Sequence, residues 1–111
     1  MGTFAGGSVV LVRFSFSDLS QAKLRPAVIL AAADRDDWLL CQITSNAYAD
    51  PNAVKLEEAD FQTGSLRVTS YARPAKLFTA HETLIATLLG GLKPSGHRRI
   101  VEAIVRVIQP T

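Results

Sequence analysis

Hydrophobic residues in the first half of the chain follow patterns that are typical of β-strands. Ser8–Phe16 alternates apolar and polar positions, which predicts a strand with one apolar face. The side chains on that face are Val10, Val12, Phe14 and Phe16. Arg25–Ala33 is apolar without alternation, as expected of a strand buried on both faces. Trp38–Ile43 is predicted to be a third strand, joined to the second through the acidic turn Asp34–Asp37 as a hairpin.

The second half combines shorter strands with one helix. Ala53–Leu56 and Ser65–Tyr71 are predicted to be strands, and Gly90-Gly91 is interpreted as a turn. Ser95 is the predicted N-cap of a helix. The apolar stripe of that helix is predicted to comprise Ile100, Val101, Ile104, Val107 and Ile108. Five to seven short strands and a closing helix predict a mainly-β or α+β small barrel.

Composition limits the classes of protein that need to be considered. A chain of 111 residues, 48% of them hydrophobic, is expected to form a single domain spanning 1–111. Cys41 is the only cysteine, so an internal disulfide or a multi-cysteine zinc site is excluded, and a reducing cytosol is favoured. No apolar run reaches 18 residues, which argues against a membrane span.

Charge by itself does not identify a ligand. The formal net charge of +2 is too small to indicate nucleic-acid binding. Several basic residues nevertheless lie on segments that are nearly free of acidic residues, namely Lys23, Arg25, Arg67, Arg73 and Lys76. These residues would form a basic surface only if the fold brings their segments together. Phosphate-binding, dinucleotide-binding and zinc-protease motifs are absent from the sequence.

Three stretches together resemble one known family. Gly7–Leu30 reads GSVVLVRFSFSDLSQAKLRPAVIL, with a strand, a loop and a basic Arg-Pro segment leading into an apolar strand. Leu39–Ser45 reads LLCQITS and ends in a threonine-bearing motif, and Asp60–Thr79 reads DFQTGSLRVTSYARPAKLFT. In order and spacing they resemble the MazF/PemK family of type II toxin–antitoxin endoribonuclease toxins.

The resemblance implies a fold, an activity and partners. The implied fold is mainly β with a C-terminal helix, an SH3-like small β-barrel of the MazF/Kid/CcdB type. The implied protein is a cytoplasmic homodimer that cleaves single-stranded RNA, often messenger RNA, at short sequences and is inhibited by a cognate antitoxin protein. Neither a metal nor an organic cofactor is expected.

The resemblance also assigns two catalytic residues. The arginine of the Arg-Pro motif is Arg25, and the threonine that ends the third strand is Thr44. An arginine suits a phosphate site because its planar fork is always charged and can bind two oxygens. Apart from the resemblance, Arg25 reads as a solvated charge at a strand start, and Thr44 as part of a turn.

Six further residues are candidates for contact with RNA: Phe16, Asp18, Lys23, Ser45, Asn46 and Arg73. Phe16 is a candidate for stacking on a base, although core packing is the more common role of an alternating phenylalanine. Lys23 lies two residues before Arg25, so both side chains are expected on one side of an extended strand. Asp18 is predicted to orient Arg25, to act as a base, or to cap a turn. Arg73 precedes a second proline and is assigned either to RNA or to a dimer contact.

Departures from the family pattern keep two other interpretations open. Ser8 and Ser15 stand where members usually carry an aspartate and a proline, and Ser20-Gln21-Ala22 lacks an acidic residue found in some members. A non-catalytic barrel that binds protein or nucleic acid is one alternative. A gyrase-targeting toxin of the same fold is the other, although the Arg-Pro and threonine motifs argue against it.

Overall fold

The computed structural model describes residues 4–15, 22–46 and 49–109. Seven strands and one helix account for most of this part of the chain. They are β1 (Ser8–Ser15), β2 (Ala22–Asp34), β3 (Asp37–Thr44), β4 (Val54–Leu56), β5 (Phe61–Gly64), β6 (Ser70–His81), β7 (Ile85–Leu92) and α1 (Pro94–Ile108). The predicted mainly-β fold with a closing helix is therefore confirmed.

All seven strands belong to one antiparallel sheet, which forms a half-barrel. Its strand order is β4-β6-β3-β2-β1-β7-β5, so β2 and β3 lie at the centre. The predicted β2–β3 hairpin is confirmed, and its turn places Arg35 at a positive φ of 35°. Central strands are paired along both edges, which makes β2 and β3 a rigid base for any side chain near their ends.

Apolar residues pack on both faces of the sheet. Val9 and Val28 belong to a cluster that includes the helix, whereas Val10, Val12 and Ile29 belong to a second cluster on the other face. Successive side chains of a strand point to opposite faces, so the two strands must be apolar at consecutive positions. The prediction that the second strand is buried on both faces is confirmed for 27–29, but residues 31–33 are exposed.

The helix begins two residues earlier than predicted. Pro94 occupies its first turn and Lys93 is the N-cap residue, so the assignment of Ser95 as N-cap is wrong. Proline is favoured there because its missing N–H has no partner within the helix anyway. The buried side of the helix consists of Gly96, Ile100, Ala103 and Ile104.

The predicted apolar stripe is therefore only partly buried. Val101 is 39% and Ile108 66% exposed, so these two members of the stripe lie outside its buried part. An ion pair on the opposite flank, from Arg99 Nη2 to Asp60 Oδ1 at 2.8 Å, helps to set which side of the helix faces the sheet.

Two other predictions about local structure are wrong. Residues 66–69 are not in a strand, and β6 begins only at Ser70. Gly90 and Gly91 lie inside β7, paired with β5, and do not form a turn. A Cβ at Gly90 would collide with the carbonyl oxygen of Thr63, so the glycine permits close approach of the two strands.

Within the described residues, no helix is long and apolar enough to span a membrane.

Candidate active site

A cavity of about 280 Å³ is lined by residues from the start of β2, the end of β3, the start of β6 and the loop before β6. Four of the residues predicted to form the site line it: Arg25, Thr44, Ser45 and Arg73. The apolar part of its wall includes Pro26, Leu66 and Val68. Residues that are distant in the sequence therefore lie on one surface. Arg25 and Arg73, for example, are 48 positions apart.

Strand register brings Arg25 and Thr44 together. Ala27 of β2 is paired with Gln42 of β3. That pair is the last of the β2–β3 ladder at this end, and Arg25 and Thr44 each lie two residues beyond it on their own strands. Both residues line the cavity. The two predicted catalytic residues therefore border one ligand-sized space.

Thr44 is already part of a local turn. Its Oγ1 accepts a hydrogen bond from the backbone N–H of Asn46 and donates one to the carbonyl of Asn46, both at 3.1 Å. A threonine hydroxyl has one proton to donate. A phosphate oxygen that binds the Thr44 hydroxyl must therefore compete with the Asn46 carbonyl for that proton.

Arg73 is held beside a nearly buried carboxylate. Its Nε donates to Asp50 Oδ2 at 3.0 Å, and the side chains of Arg73 and Asp50 are 33% and 8% exposed. The hydrogen bond from Arg73 holds the pKa of Asp50 below its ordinary value. The backbone N–H of Asn52 and the charges of Arg73 and Lys76 act in the same direction, whereas burial opposes them. Asp50 is consequently ionised at neutral pH.

Cys41 of β3 is buried. Burial raises the pKa of its thiol to about 12. Its Sγ donates to the carbonyl of Arg73, a residue of the cavity lining, at 3.1 Å and so links β3 to β6. In this environment Cys41 behaves as a small buried hydrophobic residue.

The remaining predicted residues have different positions. Lys23 is exposed on β2, opposite Phe14, and does not line the cavity. Asn46 contributes its backbone to the Thr44 turn, and its side chain does not line the cavity either. Phe16 and Asp18 lie outside the described residues.

Sequence reasoning missed several residues of this surface. Leu66 and Val68 line the cavity, and Val68 is 61% exposed. They belong to a loop in which Arg67 has a positive φ of 71° and its N–H donates to Ser65 Oγ at 2.8 Å. Alternation over Ser65–Tyr71 indicated a strand and so hid the loop. Asp50 carried no local signal, because its partner Arg73 lies 23 residues away.

The chemistry of the surface is that of an anion site. The described residues that line the cavity include two arginines and three residues with a hydroxyl group, and none of them carries a carboxylate or an imidazole. Such donors match the charge and geometry of a phosphodiester. The described residues also contain no group of three or more His, Cys, Asp or Glu side chains suited to hold a metal ion.

A half-barrel of seven antiparallel strands with a closing C-terminal helix is the fold of the small MazF toxins. The model of the PemK-like, MazF-like toxins of type II toxin–antitoxin systems matches residues 5–108. The chain belongs to that family. Comparison with curated proteins found no match.

Solved structures support the fold. A MazE–MazF crystal structure from Deinococcus radiodurans superposes with a TM-score of 0.78 and 17% identity, covering 100% of both chains. An endoribonuclease in complex with its cognate antitoxin, from a mycobacterial species, gives 0.73 and 16%, covering 97% of this chain and 95% of that one. The Mycobacterium tuberculosis toxin MazF-mt6 gives 0.66 and 18%, with coverage of 89% and 95%.

Proposed function

We propose that this member of the toxin family is an endoribonuclease that cleaves single-stranded RNA, including messenger RNA, at short sequences. The observation that carries the proposal is the convergence of Arg25, Arg73 and Thr44 on one cavity. Family membership supports it, as do the similar structures that are named as endoribonucleases.

RNA supplies its own nucleophile in the proposed reaction. The 2′-hydroxyl gives up its proton and forms a bond to phosphorus, while the bond from phosphorus to the 5′-oxygen breaks and that oxygen takes up a proton. The products are a 2′,3′-cyclic phosphate and a 5′-hydroxyl. The protein has to align the two oxygens and stabilise the charge that develops on the phosphoryl oxygens.

Arg25 and Thr44 are the proposed catalytic residues. Arg25 lies on β2, which is paired with β1 at Arg25 itself and with β3 from Ala27 onward, and its guanidinium donates to the phosphoryl oxygens. Thr44 donates its hydroxyl to the same phosphate in exchange for the Asn46 carbonyl. Fixed donors of this kind are commonly the largest contribution to catalysis of such reactions.

The other assignments concern binding. Arg73 and Lys23 are proposed to bind backbone phosphates, and Ser45 and Asn46 to contact phosphate or base. The exposed apolar side chains of Leu66 and Val68 offer a surface for a nucleobase next to the scissile phosphate. Phe16, as a stacking residue, and Asp18, as a base or as a group that orients Arg25, complete the proposal.

The reaction is proposed to need neither a metal nor an organic cofactor. The donors described around the cavity are guanidinium and hydroxyl groups, which bind anions, whereas Mg²⁺ prefers carboxylate oxygens. Charge stabilisation is therefore assigned to the protein itself.

Cleavage of a fluorogenic single-stranded RNA by the purified protein tests the proposal. Arg25→Ala is expected to slow cleavage by about 100-fold or more, as loss of one transition-state donor does. Arg13→Ala, an exposed arginine of β1 outside the cavity, is the matched control and should cleave normally. EDTA should leave the wild-type rate unchanged, and 5′-hydroxyl ends should appear.

Other outcomes identify the alternatives. RNA binding without cleavage would support a non-catalytic barrel. Growth arrest with intact RNA and broken DNA would support gyrase as the target. Near-normal cleavage by Arg25→Ala would remove that residue from the catalytic role.

We further propose a cytoplasmic homodimer that is inhibited by a cognate antitoxin. The antitoxin proposal is supported by the MazE–MazF and mycobacterial toxin complexes. Exposed leucines such as Leu24 and Leu88, each 50% exposed, offer apolar surface for a protein partner. Light scattering of the purified chain, with and without the product of a neighbouring small reading frame, tests both associations.

A further inference from the structure

We propose that Asp50 is a positioning residue that holds the guanidinium of Arg73 in the orientation needed to bind an RNA phosphate. The inference rests on the proposed function and extends it to a residue outside the cavity wall. Its basis is the 3.0 Å hydrogen bond from Arg73 Nε to Asp50 Oδ2, with the Asp50 side chain only 8% exposed.

Asp50 is itself held in place by its own loop. Its Oδ1 accepts a hydrogen bond from the backbone N–H of Asn52 at 3.0 Å, and its carbonyl accepts one from Ala53 at 3.3 Å. A carboxylate that caps a turn in this way cannot swing freely. Both of its oxygens have defined partners, one in the loop and one on Arg73.

Arg73 is held at its main chain as well. Its carbonyl accepts the Cys41 thiol at 3.1 Å, and the following Pro74 is fully buried. Within the described part of the chain, Asp50 is the one side chain that bonds to the guanidinium. That bond uses Nε, which leaves the two terminal nitrogens to donate into the cavity. A flexible arginine is thereby converted into a fixed phosphate ligand before RNA arrives.

Charge and positioning predict opposite effects of removing Asp50. The site holds two guanidinium groups and this one adjacent carboxylate. If Asp50 acted only through its charge, its neutralisation would make the cavity more positive and tighten RNA binding. If it positions Arg73, neutralisation frees the guanidinium and weakens binding. The sign of the change in affinity therefore separates the two effects.

The first experiment measures affinity for a labelled single-stranded oligonucleotide with 2′-fluoro groups, which lacks the nucleophile and cannot be cleaved. Asp50→Asn is expected to weaken binding about tenfold. It should also lower the slope of log affinity against log salt by about 0.7, the value for one lost phosphate contact on a single strand. Arg73→Ala should lower the slope equally. Asp34→Asn, an exposed acid in the β2–β3 hairpin, is the matched control and should leave the slope unchanged.

The second experiment uses lysine as a probe of orientation. In Arg73→Lys the ammonium is expected to pair with Asp50 and so be lost to RNA, giving an affinity as poor as that of Arg73→Ala. Adding Asp50→Asn to Arg73→Lys should then weaken binding no further. With intact RNA, Asp50→Asn should raise KM far more than it lowers kcat, whereas Asp50→Glu should retain part of the affinity.

Several results would overturn the inference: equal or tighter binding by Asp50→Asn, an unchanged salt slope, or additive losses in the double variant. Circular dichroism and thermal unfolding of each variant confirm that it is folded at the assay temperature. If the wild type binds the oligonucleotide but cleaves no RNA, the proposed catalysis is wrong. The binding measurements then still show whether Asp50 positions Arg73. If the wild type cleaves RNA and Asp50→Asn binds normally, only the positioning inference fails.

Discussion

Thr44→Val separates the two interpretations of Thr44, as a turn residue and as a catalytic donor. Valine keeps the branched shape and removes the hydroxyl, which makes two hydrogen bonds to Asn46 at 3.1 Å. A hydrogen bond contributes about 0.5–1.5 kcal/mol net, and each of these two exposed bonds belongs at the low end of that range. We expect a loss of about 1 kcal/mol in the free energy of unfolding. Small domains are typically stable by about 5–15 kcal/mol, so nearly every molecule stays folded.

A stability loss of this size therefore cannot slow cleavage substantially by unfolding the protein, whereas loss of a catalytic donor slows cleavage in the folded molecule. A drop of about 10- to 100-fold in single-turnover cleavage corresponds to about 1.4–2.8 kcal/mol of lost transition-state stabilisation. Urea unfolding and cleavage under single-turnover conditions measure the two quantities on the same samples. Thr44→Ser keeps the hydroxyl and should cleave within a few-fold of wild type. Thr79→Ala, an exposed threonine of β6, is the control for general effects.

Two results would contradict this reasoning. Unchanged cleavage by Thr44→Val would leave Thr44 as a turn residue alone. An equal loss in Thr44→Ser and Thr44→Val would show that the hydroxyl is not the group that matters.

Three further predictions concern the core and the groups whose pKa is shifted. Ile100→Ala should lower the free energy of unfolding by about 2–5 kcal/mol, measured with urea, because this side chain is fully buried. Val101 is 39% exposed, so Val101→Ala should lower it by much less. Equal losses would contradict the assignment of the buried helix face. Cys41, with its pKa raised from 9.0 to about 12, should form about a thousandfold less thiolate near neutral pH and react with iodoacetamide only after unfolding; rapid labelling of the native protein would refute this. The pKa of Asp50 is lower in the folded state, so its contribution to stability is present at neutral pH and is lost as the pH falls. Asp50→Asn should therefore flatten part of the decline in unfolding free energy between about pH 5 and pH 2, and an unchanged profile would count against the ion pair.

Local sequence patterns were sufficient to predict those strands in which buried and exposed positions follow a regular pattern. Alternation identified β1, the unbroken apolar run identified β2, and an acidic turn between two apolar runs identified the β2–β3 hairpin. These signals work because the period of side-chain direction is a property of the strand itself. They failed at residues 66–69, where a short alternating run belongs to a loop. They also failed at Gly90, where glycine is required because the neighbouring strand β5 approaches too closely for a Cβ atom.

The site was predictable only in part. Arg25 and Thr44 were assigned from the resemblance to the family, because neither carries a distinctive local pattern. Their meeting depends on the register between Ala27 and Gln42, which is set by the packing of both strands. Asp50 could not be found from sequence spacing, since its significance comes from a hydrogen bond to a distant residue.

The amino-acid sequence by itself determined the strand-rich fold, the amphipathic closing helix and the family, because each depends on short-range periodicity or on motifs in a fixed order. The tertiary structure decided which charges share a cavity and which side of the helix is buried. It also decided that a nearly buried carboxylate stands behind Arg73. Those features depend on strand register and long-range packing, whose energies arise between residues far apart in the chain.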